Sequence, residues 1–190
     1  MSERITPRNE EQLKPGSGAG GAGTGRTQDE EILNAYHEAA HAVANHRLCF
    51  LFDEVTVERD GDSEGHVLDV DDPEEWAAFF DRSIEEYRAS RTIQMLAGYA
   101  VEIEFGIRAD LARDHARCDF EDAREVGALN EANEAEWIAK AAGFVRENMR
   151  AIGIVADALI KHRTLRADDV SELVRMADEI EAWRPGGNNG

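Results

Sequence analysis

Apolar residues return every three or four positions over several stretches of this chain, and in one stretch they alternate. From Asp29 to about Leu48, Ile32, Ala35, Ala39, Ala42 and Val43 keep the helical period and predict a first helix. Thr27 or Asp29 suits its N-cap, and Glu30 and Glu31 suit the positive end of its dipole. The period then shortens to two. Asp53–Arg59 puts Val55 and Val57 on one face, Arg59–Gly65 reads as a turn, and His66–Val70 reads as a second strand of a hairpin. Asp72-Pro73 opens two helical stretches, about 73–82 and about 84–104. The second carries Ile93, Leu96, Ala97, Ala100, Val101 and Ile103 and closes at Gly106 as a C-cap. Residues 106–117 read as an irregular polar connection, with another helix starting near Asp119. The clearest long helix, about 133–162, has Trp137, Ala141, Phe144, Ile152, Val155 and Leu159 on one side. A last helix, about 168–182, uses Val170, Leu173, Val174, Ala177 and Ile180. The fold class predicted is mainly α, with a small β-hairpin after the first helix.

Composition sets the limits of the folded part. Pro15–Gly25 is almost entirely Gly, Ala, Ser and Thr, so residues 1–28 read as a disordered linker, 29–183 as one domain, and 184–190 as a flexible tail. Hydrophobic residues are 42%, enough for a core, while the formal net charge of −19 repels phosphates and sets a nucleic-acid partner aside. Asp53–Glu86 concentrates this acidity, with fourteen Asp or Glu against two Arg. Such a run is ordinarily a solvated surface, and its sharper reading is a rim that disfavours acidic substrates. Cys49 and Cys118 are far apart and form no CxxC, unlike a secreted disulfide framework. The apolar run Leu48–Phe52 falls far short of the ~20 residues a spanning helix needs. MSERITPRNEEQL has no signal-peptide core, so no membrane span and a cytoplasmic location are expected.

The chemistry lies in the first helix. Tyr36–Val43 reads YHEAAHAV and contains H-E-x-x-H. At i and i+4, His37 and His41 project from one face a turn apart, where both imidazoles can reach one Zn²⁺. Glu38, beside the first histidine, can serve as general base. The pentapeptide also occurs by chance on ordinary helices, where the two histidines are simply packed or exposed. A catalytic zinc needs a third protein ligand and an open position. His66, Glu102, Glu104, Asp114, His115, Asp119, Glu121 and Asp122 are the downstream candidates, and spacing does not choose among them. A Glu from a following helix, the thermolysin arrangement, favours Glu102.

Four segments in order resemble the peptidase domain of the FtsH family, the membrane-anchored AAA zinc proteases. His37–Val43 is similar to that family's HEAGHA motif, and Leu96–Gly106 to its LAGRAAEEIIFG stretch. Asp119–Val126 resembles its NDLxxATxxA stretch, and Leu159–Leu165 with Asp168-Asp-Val170 its closing LLexETLxxxEV segment. The likeness spans about residues 31–177 and implies a helical metallopeptidase domain. It also implies that Asp119 is the third zinc ligand, where the residue type alone suggests a helix N-cap. Asp122 falls on a variable position, and Cys118 on one that is not Cys in the family. Ala40 stands where the family has Gly, and Tyr99 where it has Arg.

Only 36 residues precede His37, so the ATPase and membrane anchor of the family are expected to be missing. Gly20–Thr27 imitates a P-loop but has Arg26 for Lys and no preceding strand, and reads as linker. The resemblance thus implies a stand-alone zinc endopeptidase that would need unfolded proteins or short peptides, or a separate AAA unfoldase. The ring hexamers of the family allow homo-oligomerisation. If the Val55–Val57 strand lay at a sheet edge, an extended substrate could add to it; an ordinary half-buried strand is the plainer reading. The rivals are a non-catalytic peptide-binding or regulatory module, a structural zinc site, and a zinc hydrolase with a non-peptide substrate.

Overall fold

The computed structural model describes residues 27–58, 66–69, 72–126 and 128–183, of 66–69 the backbone alone. The expected linker through residue 26, the turn over 59–65 and the tail 184–190 lie outside the described residues. The first helix, α1 (Gln28–Leu48), starts one residue ahead of the expected position. Thr27 caps it in a capping box: its hydroxyl accepts from the Glu30 N–H at 3.3 Å, and the Glu30 carboxylate accepts from the Thr27 N–H at 2.7 Å. The helix closes at Cys49, left-handed at φ 64°.

The hairpin is present as β1 (Phe52–Thr56) and β2 (His66–Asp69), antiparallel, with Val55 opposite Val67. A third strand, β3 (Thr164–Arg166), pairs with the other side of β1, placing Val55 opposite Leu165. The order is β2-β1-β3. β1 is therefore the centre of the sheet and not an edge, which removes the idea of a substrate strand adding to it. Both sides of its backbone ladder are already occupied. Val55 and Val57 are buried, as an ordinary inward-facing pair should be.

The remaining elements are helices: α2 (Pro73–Phe80), α3 (Ile84–Met95), α4 (Ala97–Glu104), α5 (Ala109–His115), α6 (Arg117–Glu125), α7 (Glu134–His162) and α8 (Ala167–Ala182). Asp72 caps α2, with Pro73 at its first position. Two differences from expectation bear on the site. The helix expected over 84–104 is broken at Leu96, whose ψ of −1° turns the chain between α3 and α4. The stretch expected to be irregular, 106–117, contains α5. Its only fully buried side chains are Ala112 and Ala116, too small and too few to show a hydrophobic period. The fold is mainly α, with a small antiparallel sheet.

The core forms where α1 packs against α7 and α4. Ala35, Ala39, Ala40, Ala42, Val43 and Ala44 of α1 are fully buried, against Val145, Ile152, Val155 and Leu159 of α7 and Val101 of α4. Each buried Val, Ile or Leu contributes about 1.5–3 kcal/mol of hydrophobic stabilisation, and the alanines let the helix axes come close. A separate cluster of Phe50, Trp76, Ala77 and Tyr87 joins α2 and α3 to the end of α1. No helix among the described residues is long and apolar enough to cross a membrane.

Candidate metal centre

His37 and His41 project from α1 toward the junction of α3 and α4, where α6 brings Asp119 to meet them. The Nε2 atoms of the two histidines are 3.1 Å apart. Asp119 Oδ2 lies 3.3 Å from the Nε2 of His37 and 3.5 Å from that of His41. These three residues are the one group of potential metal-ligating side chains that converges in this way among the described residues. Asp119 sits in the first turn of α6 but does not cap it; the residue before the helix is Ala116, and no side chain bonds the free N–H groups there. Its carboxylate is turned to the histidines instead.

Outer partners set the direction of both rings. His41 donates its Nδ1–H to the carbonyl of Gln94 at 2.9 Å. A carbonyl can only accept, so the lone pair of the neutral ring is on Nε2. The break at Leu96 lets that carbonyl, near the end of α3, serve a side chain. His37 donates its Nδ1–H to Glu102 Oε1 at 2.8 Å, with the same result for its Nε2. Two imidazole nitrogens and a carboxylate oxygen this close repel one another unless a positive charge, proton or metal ion, lies among them.

The donor set fits a small divalent cation. Ligands about 2.0–2.1 Å from a tetrahedral zinc lie roughly 3.3 Å from each other, close to the three separations above. The space beside the two rings is kept open by Gly98 of α4. A Cβ there would stand 2.6 Å from His41 Nε2 and closer still to His37 Nε2. The side chain that glycine lacks would thus occupy the place where the ligand atoms point. An isolated glycine inside a helical pattern is a signal of close approach that reading by spacing alone passes over.

The electrostatics agree with mutual attraction. Burial pulls the His37 imidazole down, but its bonds to Asp119 and Glu102 more than compensate, and it stands well above its ordinary value. His41 is likewise drawn down by burial and raised above its ordinary value by the Asp119 charge. Burial pushes Asp119 up, and the charges and bonds of His41 and His37 carry it well below the usual carboxylate range. Glu38 is buried beside them, and its charge raises both imidazoles.

The other candidates separate clearly. Glu102 lies behind His37, on Nδ1, and not among the converging atoms. His115 bonds the second oxygen of Glu102. Glu104 pairs with Arg146 and Glu121 with Arg117. Asp114 lines an open cavity of about 490 Å³ beside α5 with Arg108, Arg113 and Arg117. Asp122 is at the surface, and partial desolvation and the neighbouring Asp119 charge raise its carboxyl above the ordinary value. Cys118 is exposed and outside the cluster, and the side chain of His66 is outside the described part.

Tyr99 packs edge-on against Phe120, the buried neighbour of Asp119, with ring centres 5.1 Å apart. The Arg113 guanidinium covers Phe120 at 3.9 Å and is itself held by Glu134, which also receives Arg124. No protein-family model matches this chain, and no curated protein matches it.

Proposed function

We propose that this protein is a zinc-dependent metallopeptidase of the FtsH type, hydrolysing peptide bonds in unfolded proteins or peptides. One observation carries the reading: two Nε2 lone pairs and a carboxylate oxygen meet beside Gly98, with Glu38 on the same helix. His37, His41 and Asp119 would hold Zn²⁺, and a zinc with three protein ligands would have a position for water or substrate. Zinc in such a site supplies Lewis acidity, which acidifies water and polarises a carbonyl. Glu102 and the Gln94 carbonyl keep both rings in the tautomer that a metal requires. Glu38 takes a proton from the attacking water and passes it to the leaving amine.

A structural zinc site normally has four protein ligands and favours Cys; here three side chains converge among the described residues, and neither Cys49 nor Cys118 is one of them. The polypeptide substrate, cytoplasmic location, separate AAA unfoldase and capacity for self-association come with the FtsH-type resemblance and the composition. The rival is a non-catalytic peptide-binding module that keeps the metal. Bound zinc and hydrolysis of unfolded casein, measured for the native chain and for Glu38→Gln, separate the two. We expect one zinc per chain in both and a loss of about 10²–10⁴-fold in rate in the variant. Equal rates would remove Glu38 from its role, no hydrolysis by the native zinc-loaded chain would favour the binding module, and a native chain without zinc would remove the site.

A further inference from the structure

Glu102 is among the most enclosed charged residues of the protein, at 2% exposed. A carboxylate so enclosed needs both oxygens bonded, and here each takes an imidazole. Oε1 accepts from His37 Nδ1 at 2.8 Å and Oε2 accepts from His115 Nδ1 at 2.9 Å. These are the side chains bonded to it among the described residues. The two histidines differ in surroundings. The side chain of His37 is 12% exposed and points into the metal centre, whereas that of His115 is 39% exposed and ends α5 at the surface.

We propose that His115 is a positioning residue for the metal centre, acting through Glu102 on His37. The proposal rests on the zinc-site reading above and adds to it a residue that touches neither metal nor substrate. With only His37 bonded, the carboxylate can turn about its terminal torsion, because such torsions between tetrahedral and planar carbons are broad. The second bond, from the opposite side, removes that freedom and keeps Oε1 in line with the His37 Nδ1–H. His37 then presents Nε2 to the cation without reordering. Such outer partners of a metal-bound histidine typically change affinity by about 10–100-fold. His115 is one bond further out than Glu102, so its effect belongs at the lower end.

The segment that supplies His115 is built for this placement. Gly106, at φ 80°, turns the chain after α4, and Arg108 enters α5 in extended conformation. Ala112 and Ala116, both buried, then seat α5 so that His115 faces back toward α4. Packing of α5 alone would not require an imidazole at this half-exposed position.

The test is zinc affinity, measured by competition with a chromophoric chelator, on the full chain and on His115→Ala, His115→Asn and, as control, the exposed His162→Ala. The amide of Asn can place an N–H where Nδ1–H stood. We expect about a tenfold higher zinc dissociation constant for His115→Ala, near-native affinity for His115→Asn, and no change for His162→Ala. Thermal unfolding of the zinc-stripped proteins is expected to match the native chain for His115→Asn and His162→Ala and to be modestly lowered for His115→Ala, which leaves Glu102 Oε2 without its imidazole partner. Native affinity in His115→Ala would overturn the proposal while leaving the metal centre standing. A loss in His115→Asn as large as in His115→Ala, or a matching drop in the stability of both stripped variants, would also overturn it, since packing would then be the cause. A native chain that binds no zinc would overturn the proposal together with the reading it rests on.

Discussion

Two kinds of packing meet on α3. At one end, Tyr87 joins Phe50 and Trp76 in an aromatic cluster, with Phe50 and Trp76 stacked at 5.6 Å and Tyr87 edge-on to both. Trp76 also donates its indole N–H to the Cys49 carbonyl at 2.9 Å, tying α2 to the end of α1. At the other end, Gln94 gives its carbonyl to His41, and the neighbouring contact between α1 and α4 is made of alanines and Gly98. The first region gains stability from large surfaces. The second gains position from the absence of side chains, since only small residues let two helices hold four or five polar atoms in register. Stability and the candidate metal centre are thus lodged in different places, and substitutions should separate them.

The sharpest break is Gly98→Ala. The added methyl collides with both Nε2 atoms, and the rings cannot swing aside while Glu102 and the Gln94 carbonyl hold their other nitrogens. Zinc content should fall below about one-tenth of native with helical circular dichroism retained, because alanine is the better helix former by about 1 kcal/mol. Native zinc content in this variant would show that the cradle is elsewhere. Trp76→Ala should do the reverse. Loss of a buried indole typically costs about 3–5 kcal/mol, visible as a lower denaturant midpoint, while the protein that remains folded keeps its zinc. Parallel loss of both properties would mean that the two regions are one unit.

A smaller effect probes the support of Asp119. Glu134 is held below its ordinary value of 4.5 chiefly by its bonds to Arg113. A carboxyl whose folded value is depressed adds stability that is fully present above the unfolded value and is lost as pH falls through the folded one. The stability gap between native and Glu134→Gln should therefore be constant near neutrality and close as pH drops below about 4.5, as followed by urea unfolding at stepped pH. The partly exposed clamp is screened by solvent, so the gap should stay within about 1 kcal/mol. A gap that widened in acid would exclude the ion pair as its source.

The parts legible in the amino-acid sequence are those specified by neighbours along the chain. α1 shows its period, its cap and its H-E-x-x-H spacing within one helix, and α7 and α8 show their hydrophobic periods. What escaped depends on partners far away. β3 is three residues long, too short to alternate, and exists because β1 pairs with it. The break at Leu96 sits inside an unbroken apolar pattern, and it makes sense only once His41 needs the Gln94 carbonyl. Among the acidic candidates, the residues alone favoured Glu102, and only the FtsH-type resemblance pointed to Asp119. The structure puts the first behind a histidine and the second in front, a difference of ring face that no spacing encodes.

The pairing of β1 with β3 also orders events in time. Glu54–Thr56 must find Thr164–Arg166 across most of the chain, and the Ala-rich face of α1 must wait for α7. Closing so long a loop is costly before its contacts form, which slows folding. On the ribosome, α1 emerges with both histidines long before α6 and α7 exist. The nascent helix therefore spends its first seconds with its apolar face unburied, and His37 and His41 meet Asp119 only after α6 has emerged.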